Sequence, residues 1–293
     1  MKNTFAKMFT VCALAGVLLC GAVVFSGCDD SSSAGEDNNE TSAVESSSSV
    51  TPSDVEGSSK TAWDYLNPDI NYGEFTDERD GQVYKTVKIE DQIWMAQNLN
   101  YAYTGVKFRA ERNTSDSISW CYENKVSNCD KYGRLYTWAA AMDSVGEWST
   151  SGKGCGYGDG ENCSVASAGS ATLVRGVCPK GWHLPSPDEW EALFTAVGGS
   201  STAGTKLKSV TGWNAYNDIT NEDAFGFSAL PAGRRNGNGS YPYEGYYASF
   251  WSSTEYNRAT ACSMTLYYGD VDAYLSASYE YIGFSVRCLK DSD

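Results

Sequence analysis

The positions of ten cysteines along 293 residues narrow the choice of fold more than any other feature of this chain. Cys12, Cys20 and Cys28 precede residue 29, and the other seven lie between Cys121 and Cys288. Seven residues separate Cys121 from Cys129, and seven separate Cys155 from Cys163 across Gly-Tyr-Gly-Asp-Gly-Glu-Asn. In an oxidising compartment such local pairs read as loop staples, each contributing roughly 2–3 kcal/mol by restricting the unfolded chain. Cys178 and Cys288 then join a segment before a helix to the last strand, and Cys262 is left over. Only locality in the chain favours this scheme over the other pairings that seven cysteines allow. Zinc is a poor alternative, because closely spaced ligand pairs are missing and His183 is the one histidine.

Disulfides require export, and the amino terminus carries a signal for it. Lys2 and Lys7 precede an apolar, charge-free run over residues 9–25, closed by Ser26-Gly27-Cys28. A cysteine directly after small residues resembles the lipobox of bacterial lipoproteins, although Phe25 replaces the more usual Leu. That resemblance implies a signal peptide over 1–27 and a lipidated Cys28 bearing diacylglycerol and a further acyl chain such as palmitate. A plain membrane anchor or a non-lipid signal is the alternative. Residues 28–62 form a tether: of the 33 residues from Cys28 to Lys60, eleven are Ser, eight are acidic and none is aromatic. Such a segment buries too little apolar surface to offset its chain entropy. The expected address is the bacterial cell envelope, lipid-anchored, at the outer membrane or cell surface.

The globular part is expected over 63–293. It carries 29 acids and 19 bases, which removes the basic face that nucleic acid needs. Residues 83–89 alternate apolar and polar, and residues 93–99 follow after a short polar turn, so the pair reads as a β-hairpin. Residues 133–142 read as a helix with Leu135, Trp138 and Met142 on one face. Ser186-Pro187-Asp188-Glu189-Trp190 predicts a capping box opening a helix over about residues 187–197, ended by Gly198-Gly199. Short strand-like runs follow at 225–230, 249–254, 262–268 and 283–289. Few helices and many short strands predict an α+β fold with a mainly antiparallel, loop-rich sheet.

The segments "TVKIEDQIWMAQNLNY", "YGRLYTWAAAM", "GVCPKGWHLPSPDEWEAL", "FGFSALPAGRR", "FWSSTE" and "GFSVRCLKD" resemble, in order, the Fibrobacter succinogenes major paralogous domain. The resemblance spans about residues 71–291. That family of exported bacterial proteins is similar to the C-type-lectin-like and formylglycine-generating-enzyme fold. The resemblance therefore implies a twisted antiparallel sheet flanked by two main helices, with first and last strands adjacent and long loops above. It transfers no catalytic residue.

One histidine leaves little room for nucleophilic or metal catalysis, and His183 reads as a packed, hydrogen-bonded corner before the capped helix. No Cys pair stands where formylglycine-generating enzymes hold theirs. The lectin tripeptides Glu-Pro-Asn, Gln-Pro-Asp and Trp-Asn-Asp are missing, Trp213-Asn214 being followed by Ala-Tyr. Asp159-Gly160-Glu161-Asn162 offers oxygen ligands to a structural Ca²⁺ or is simply a solvated loop; no other cofactor is expected. Ten of twenty Tyr fall between Tyr241 and Tyr281 among Ser, Ala, Asn and Asp, the palette of recognition surfaces. Tyr256, Asn257, Tyr267, Tyr268, Asp270, Asp272 and Tyr274 are the candidate binding residues, expected partly exposed and close together. The alternative is that they are half-buried edge-strand residues. The functional expectation is a tethered, non-enzymatic domain that recognises polysaccharide or a cell-surface protein. Two other readings stay open: a formylglycine-generating-like oxidase or other enzyme, and a retroelement-diversified binding protein.

Overall fold

A computed structural model describes residues 60–103, 118–156, 163 and 173–292. The expectations for the leader, Cys28, the tether before Lys60 and residues 159–162 lie outside the described residues. In chain order the elements are β1 (Gly73–Thr76), β2 (Val83–Ile89), β3 (Gln92–Met95), β4 (Ser119–Trp120), α1 (Val126–Tyr132), β5 (Leu135–Tyr136) and α2 (Trp138–Ala141). There follow β6 (Trp182–His183), α3 (Pro187–Ala196), α4 (Ser200–Leu207), β7 (Tyr247–Asn257), β8 (Thr260–Tyr267), β9 (Ala273–Tyr279), β10 (Phe284–Ser285) and β11 (Leu289–Lys290). No helix among the described residues is long and apolar enough to cross a membrane.

The fold is α+β, with two sheets where one was expected. The first has the order β1-β2-β3-β11-β6 and is antiparallel throughout. The second has the order β4-β5-β10-β7-β8-β9, and its β10–β7 pair is parallel. The closing strand β11 enters the first sheet beside β3, with Leu289 opposite Trp94, so it joins the amino-terminal hairpin without pairing with β1. Disulfides Cys121–Cys129, Cys155–Cys163 and Cys178–Cys288 staple the chain. Cys262 lies on β8, buried and outside these bonds.

Helix α3 begins where its sequence dictates. The Ser186 hydroxyl accepts the Glu189 N–H, and the Glu189 carboxylate accepts the Ser186 N–H at 2.8 Å, closing the capping box. Its Trp190 stacks on Trp94 of β3 at 4.7 Å, and Phe227 meets both rings edge-on. Arg287 is fully buried beside this cluster. Its guanidinium donates to Asn98 Oδ1 at 2.7 and 3.1 Å and lies 4.5 Å from the Phe227 ring centroid. A second apolar cluster centres on Trp138 and Trp251, whose indole N–H groups donate to Ser252 O and Tyr136 O.

Three expected elements differ; one is the run 283–289, which is split between β10 of the second sheet and β11 of the first, with residues 286–288 in neither strand. Residues 133–142 do not form one helix: Leu135 and Tyr136 pair with β4 and β10, and only Trp138–Ala141 is helical, capped by Thr137. A short apolar run fits either period, and pairing on both sides decides for strand. Residues 225–230 form no strand. Ser228 sits at φ 50°, and its N–H and hydroxyl donate to the buried Asp223 carboxylate at 2.8 and 2.6 Å, turning the chain. Two main helices were expected; four α-helices are present among the described residues.

Candidate functional site

The tyrosine-rich segment forms the meander β7-β8-β9, and its two turns lie at opposite ends. Tyr256 and Asn257 end β7, exposed, with Asn257 Oδ1 accepting the Ala259 N–H at 3.0 Å. Tyr267, Tyr268, Asp270, Asp272 and Tyr274 surround the β8–β9 turn. The eight residues of β8 separate the two ends by about 23 Å at strand rise. The seven candidates therefore divide into a pair and a group of five, where a single patch was expected.

The group of five is held from below by α4. Lys208 Nζ donates to Asp270 O at 2.6 Å, and Thr205 N donates to Val271 O at 3.3 Å. Gly204 allows this approach, since a Cβ there would lie 2.3 Å from Asp272 O. Lys208 is buried against the Trp213 ring at 5.2 Å, and burial lowers its amine to about 8. Above the turn, the Tyr274 hydroxyl donates to Asp270 Oδ2 at 2.9 Å and approaches Asp272 Oδ2 at 3.2 Å. Burial and these two carboxylates push that phenol above its usual range. The turn is thus braced by α4 and by the Tyr274 hydroxyl, which lowers the ordering cost of binding there.

Around it, tyrosines touch ring to ring. Tyr268 is the hub, with centroids 4.8 Å from Tyr246, 5.1 Å from Tyr216 and 4.7 Å from Tyr267. Tyr267 continues to Tyr247 at 4.6 Å, and Tyr247 to Tyr243 at 5.3 Å, with the Arg234 guanidinium 5.0 Å from the Tyr243 centroid. The outer rings are the open ones: Tyr216 is 41%, Tyr246 42% and Tyr243 46% exposed. The Tyr268 side chain next to it, then burial, raises the Tyr267 phenol to about 12, so its hydroxyl is a neutral donor at physiological pH. Sequence reasoning missed Tyr216, Tyr243, Tyr246 and Tyr247 as site members. The last three lay within the tyrosine-rich stretch, whereas Tyr216 arrives from the loop after α4 without any local signal.

His183 is buried, with Nε2 2.9 Å from Glu189 Oε1 and Nδ1 2.7 Å from Asp291 Oδ1. Burial pulls its pKa down, but the two carboxylates outweigh it and leave the ring raised above its ordinary value. Both nitrogens are engaged between the capping box of α3 and the carboxyl-terminal segment.

Fold and face together define an α+β, disulfide-stapled domain that presents a braced tyrosine surface. The chain belongs to the Fibrobacter succinogenes major domain family, whose model matches residues 87–290. No curated protein and no solved structure is significantly similar to it.

Proposed function

We propose that this is a C-type-lectin-like recognition domain, non-enzymatic and lipid-anchored at Cys28. It binds polysaccharide or a cell-surface protein through the tyrosines around the β8–β9 turn. The observation that carries the reading is the ring-to-ring cluster centred on Tyr268, with open outer rings on a turn braced by α4. Tyrosine supplies large, rigid contact area with a polar tip, and rigid aromatic anchors dominate binding energy at protein surfaces. The lectin-like reading is supported by the return of β11 into the sheet of the amino-terminal hairpin. An acidic chain of formal charge −15 favours neutral or basic ligands over anionic ones.

The test is a glycan array and a panel of envelope proteins probed with the wild-type chain and with Tyr246→Ala, Tyr268→Ala and Tyr274→Ala. Each variant is expected to weaken the interaction about tenfold or more, with Tyr246→Ala shifting the melting temperature least because its ring is the most open of the three. Binding that survives all three substitutions eliminates this face. Cys28→Ser should abolish labelling by a fatty-acid analogue, and labelling that persists refutes the anchor.

A further inference from the structure

A second concave site lies away from the tyrosine face and shares no residue with it. It is a cleft of about 360 Å³ between the segment at Trp63, the start of β2, the bend after β3 and the end of α1. This volume is at the small end of the ~300–1,000 Å³ typical of small-molecule sites. One wall is the indole of Trp63, 47% exposed, with Lys85 Nζ 4.6 Å from its centroid. The remaining lining includes Gln82, Gln97, Asn98 and Asn100; Asn98 is spent on Arg287, Tyr132 and Ser285, whereas the two glutamines keep unused capacity. Gln97 Oε1 accepts the Lys85 N–H at 2.6 Å, but its amide nitrogen has no partner among the described residues. The side chains of Gln82 and Asp130 have none either. Tyr84 accepts the Asn100 N–H at 2.9 Å, which leaves its hydroxyl proton available to a further acceptor.

The chemistry of a suitable occupant follows. Donors and acceptors are interleaved, so the ligand must present both within a few ångströms. The Trp63 ring asks for a flat C–H face. Among the described residues no lysine or arginine lines the cleft, and nearby Lys85 pairs with Glu74 while Lys131 lies 3.9 Å from Glu244, so phosphate or sulfate fits less well than a neutral ligand. We propose that this cleft binds one or two rings of a neutral saccharide, stacked on Trp63 and hydrogen-bonded by Gln82 and Gln97.

The proposal stands independently of the tyrosine face, and one experiment separates the two. Cellohexaose, xylohexaose and mannohexaose are titrated into the full-length protein, followed by calorimetry and tryptophan fluorescence. Wild type is compared with Trp63→Ala, Gln82→Ala and Tyr268→Ala. At least one hexaose is expected to bind, with affinity about tenfold weaker in Trp63→Ala, a few-fold weaker in Gln82→Ala and unchanged in Tyr268→Ala. Gln82→Ala removes no internal side-chain hydrogen bond, so it reports on the cleft even where Trp63→Ala unsettles the amino-terminal turn. Absence of binding at millimolar hexaose overturns the proposal, as does binding that tracks Tyr268 and ignores Trp63 and Gln82.

Discussion

Glu280 is 1% exposed, and neither carboxyl oxygen has a hydrogen-bond partner among the described residues. Burial, aided by Glu255, raises it from an ordinary 4.5 to about 8, and burial raises Asp223 from 3.8 to about 7 despite its bonds to Ser228. A carboxyl with a higher pKa folded than unfolded keeps its proton better in the fold. Each such group therefore withdraws stability as pH climbs between its two values, at up to roughly 1.4 kcal/mol per unit. His183, also raised, acts in the same direction: its contribution is complete below its unfolded pKa of about 6.5 and is lost as pH rises through its folded one. Glu189 is lowered, its burial being outweighed by His183 and Ser186, so its contribution is lost below about pH 4.5. Thermal melts should accordingly peak near pH 5 and decline toward pH 8. Glu280→Gln should flatten that decline and raise the melting temperature at pH 8 far more than at pH 5. His183→Gln should destabilise at pH 6, with the gap narrowing by pH 9. A Glu280→Gln profile parallel to wild type rules out the buried carboxyl as a source. Glu280 and Asp223 were not legible in the sequence, because only long-range packing buries them. The corner role of His183 was, since it stands between Trp182 and a capping box.

At the scale of elements, legibility follows where the determinants lie. Helix α3 carries its own start signal within four residues, so its position could be read directly. Ser186→Ala should cost about 1 kcal/mol in chemical denaturation, the usual worth of an N-cap. Helix α4 has the opposite character. Its sequence, Ser-Ser-Thr-Ala-Gly-Thr-Lys-Leu, holds weak helix formers and an internal Gly, and it stands because Ala203 and Leu207 are buried against the meander. That same Gly gives it a role. A methyl group at position 204 must displace the carbonyls of Val271 and Asp272, 2.6 and 2.3 Å from the added carbon, and both are backbone atoms. Gly204→Ala would improve an isolated helix, yet here it should lower stability and weaken whatever binds at Tyr268, without touching an exposed ring. A variant more stable than wild type with unaltered binding would show that α4 does not brace the turn. The division of the seven candidate residues between two turns has a similar origin. Composition marks a tyrosine-rich stretch but does not reveal how many times that stretch reverses.

For the whole molecule, sheet membership is the property least visible in the sequence. Strands β5, β10 and β11 are two residues long and owe their place to partners far along the chain, such as Ser285 opposite both Leu135 and Phe250. Cysteine separation, in contrast, can be read without knowing any partner strand, and it ranks the staples. Closing a loop of about eight residues restricts the unfolded chain by about 2.5 kcal/mol, whereas the 110-residue separation of Cys178 and Cys288 gives about 4.8. The long bridge also ties the segment that carries buried Arg287 and leads into β11 to the segment leading into β6, the strand paired with β11. Replacing Cys178 and Cys288 together by Ala should therefore lower unfolding free energy by about 2 kcal/mol more than replacing Cys121 and Cys129. Urea titrations of the two double variants, with the other bridges intact, measure this difference. Equal losses would mean that packing around Trp94 and Arg287 already confines the carboxyl terminus in the unfolded ensemble, leaving the disulfide little entropy to remove.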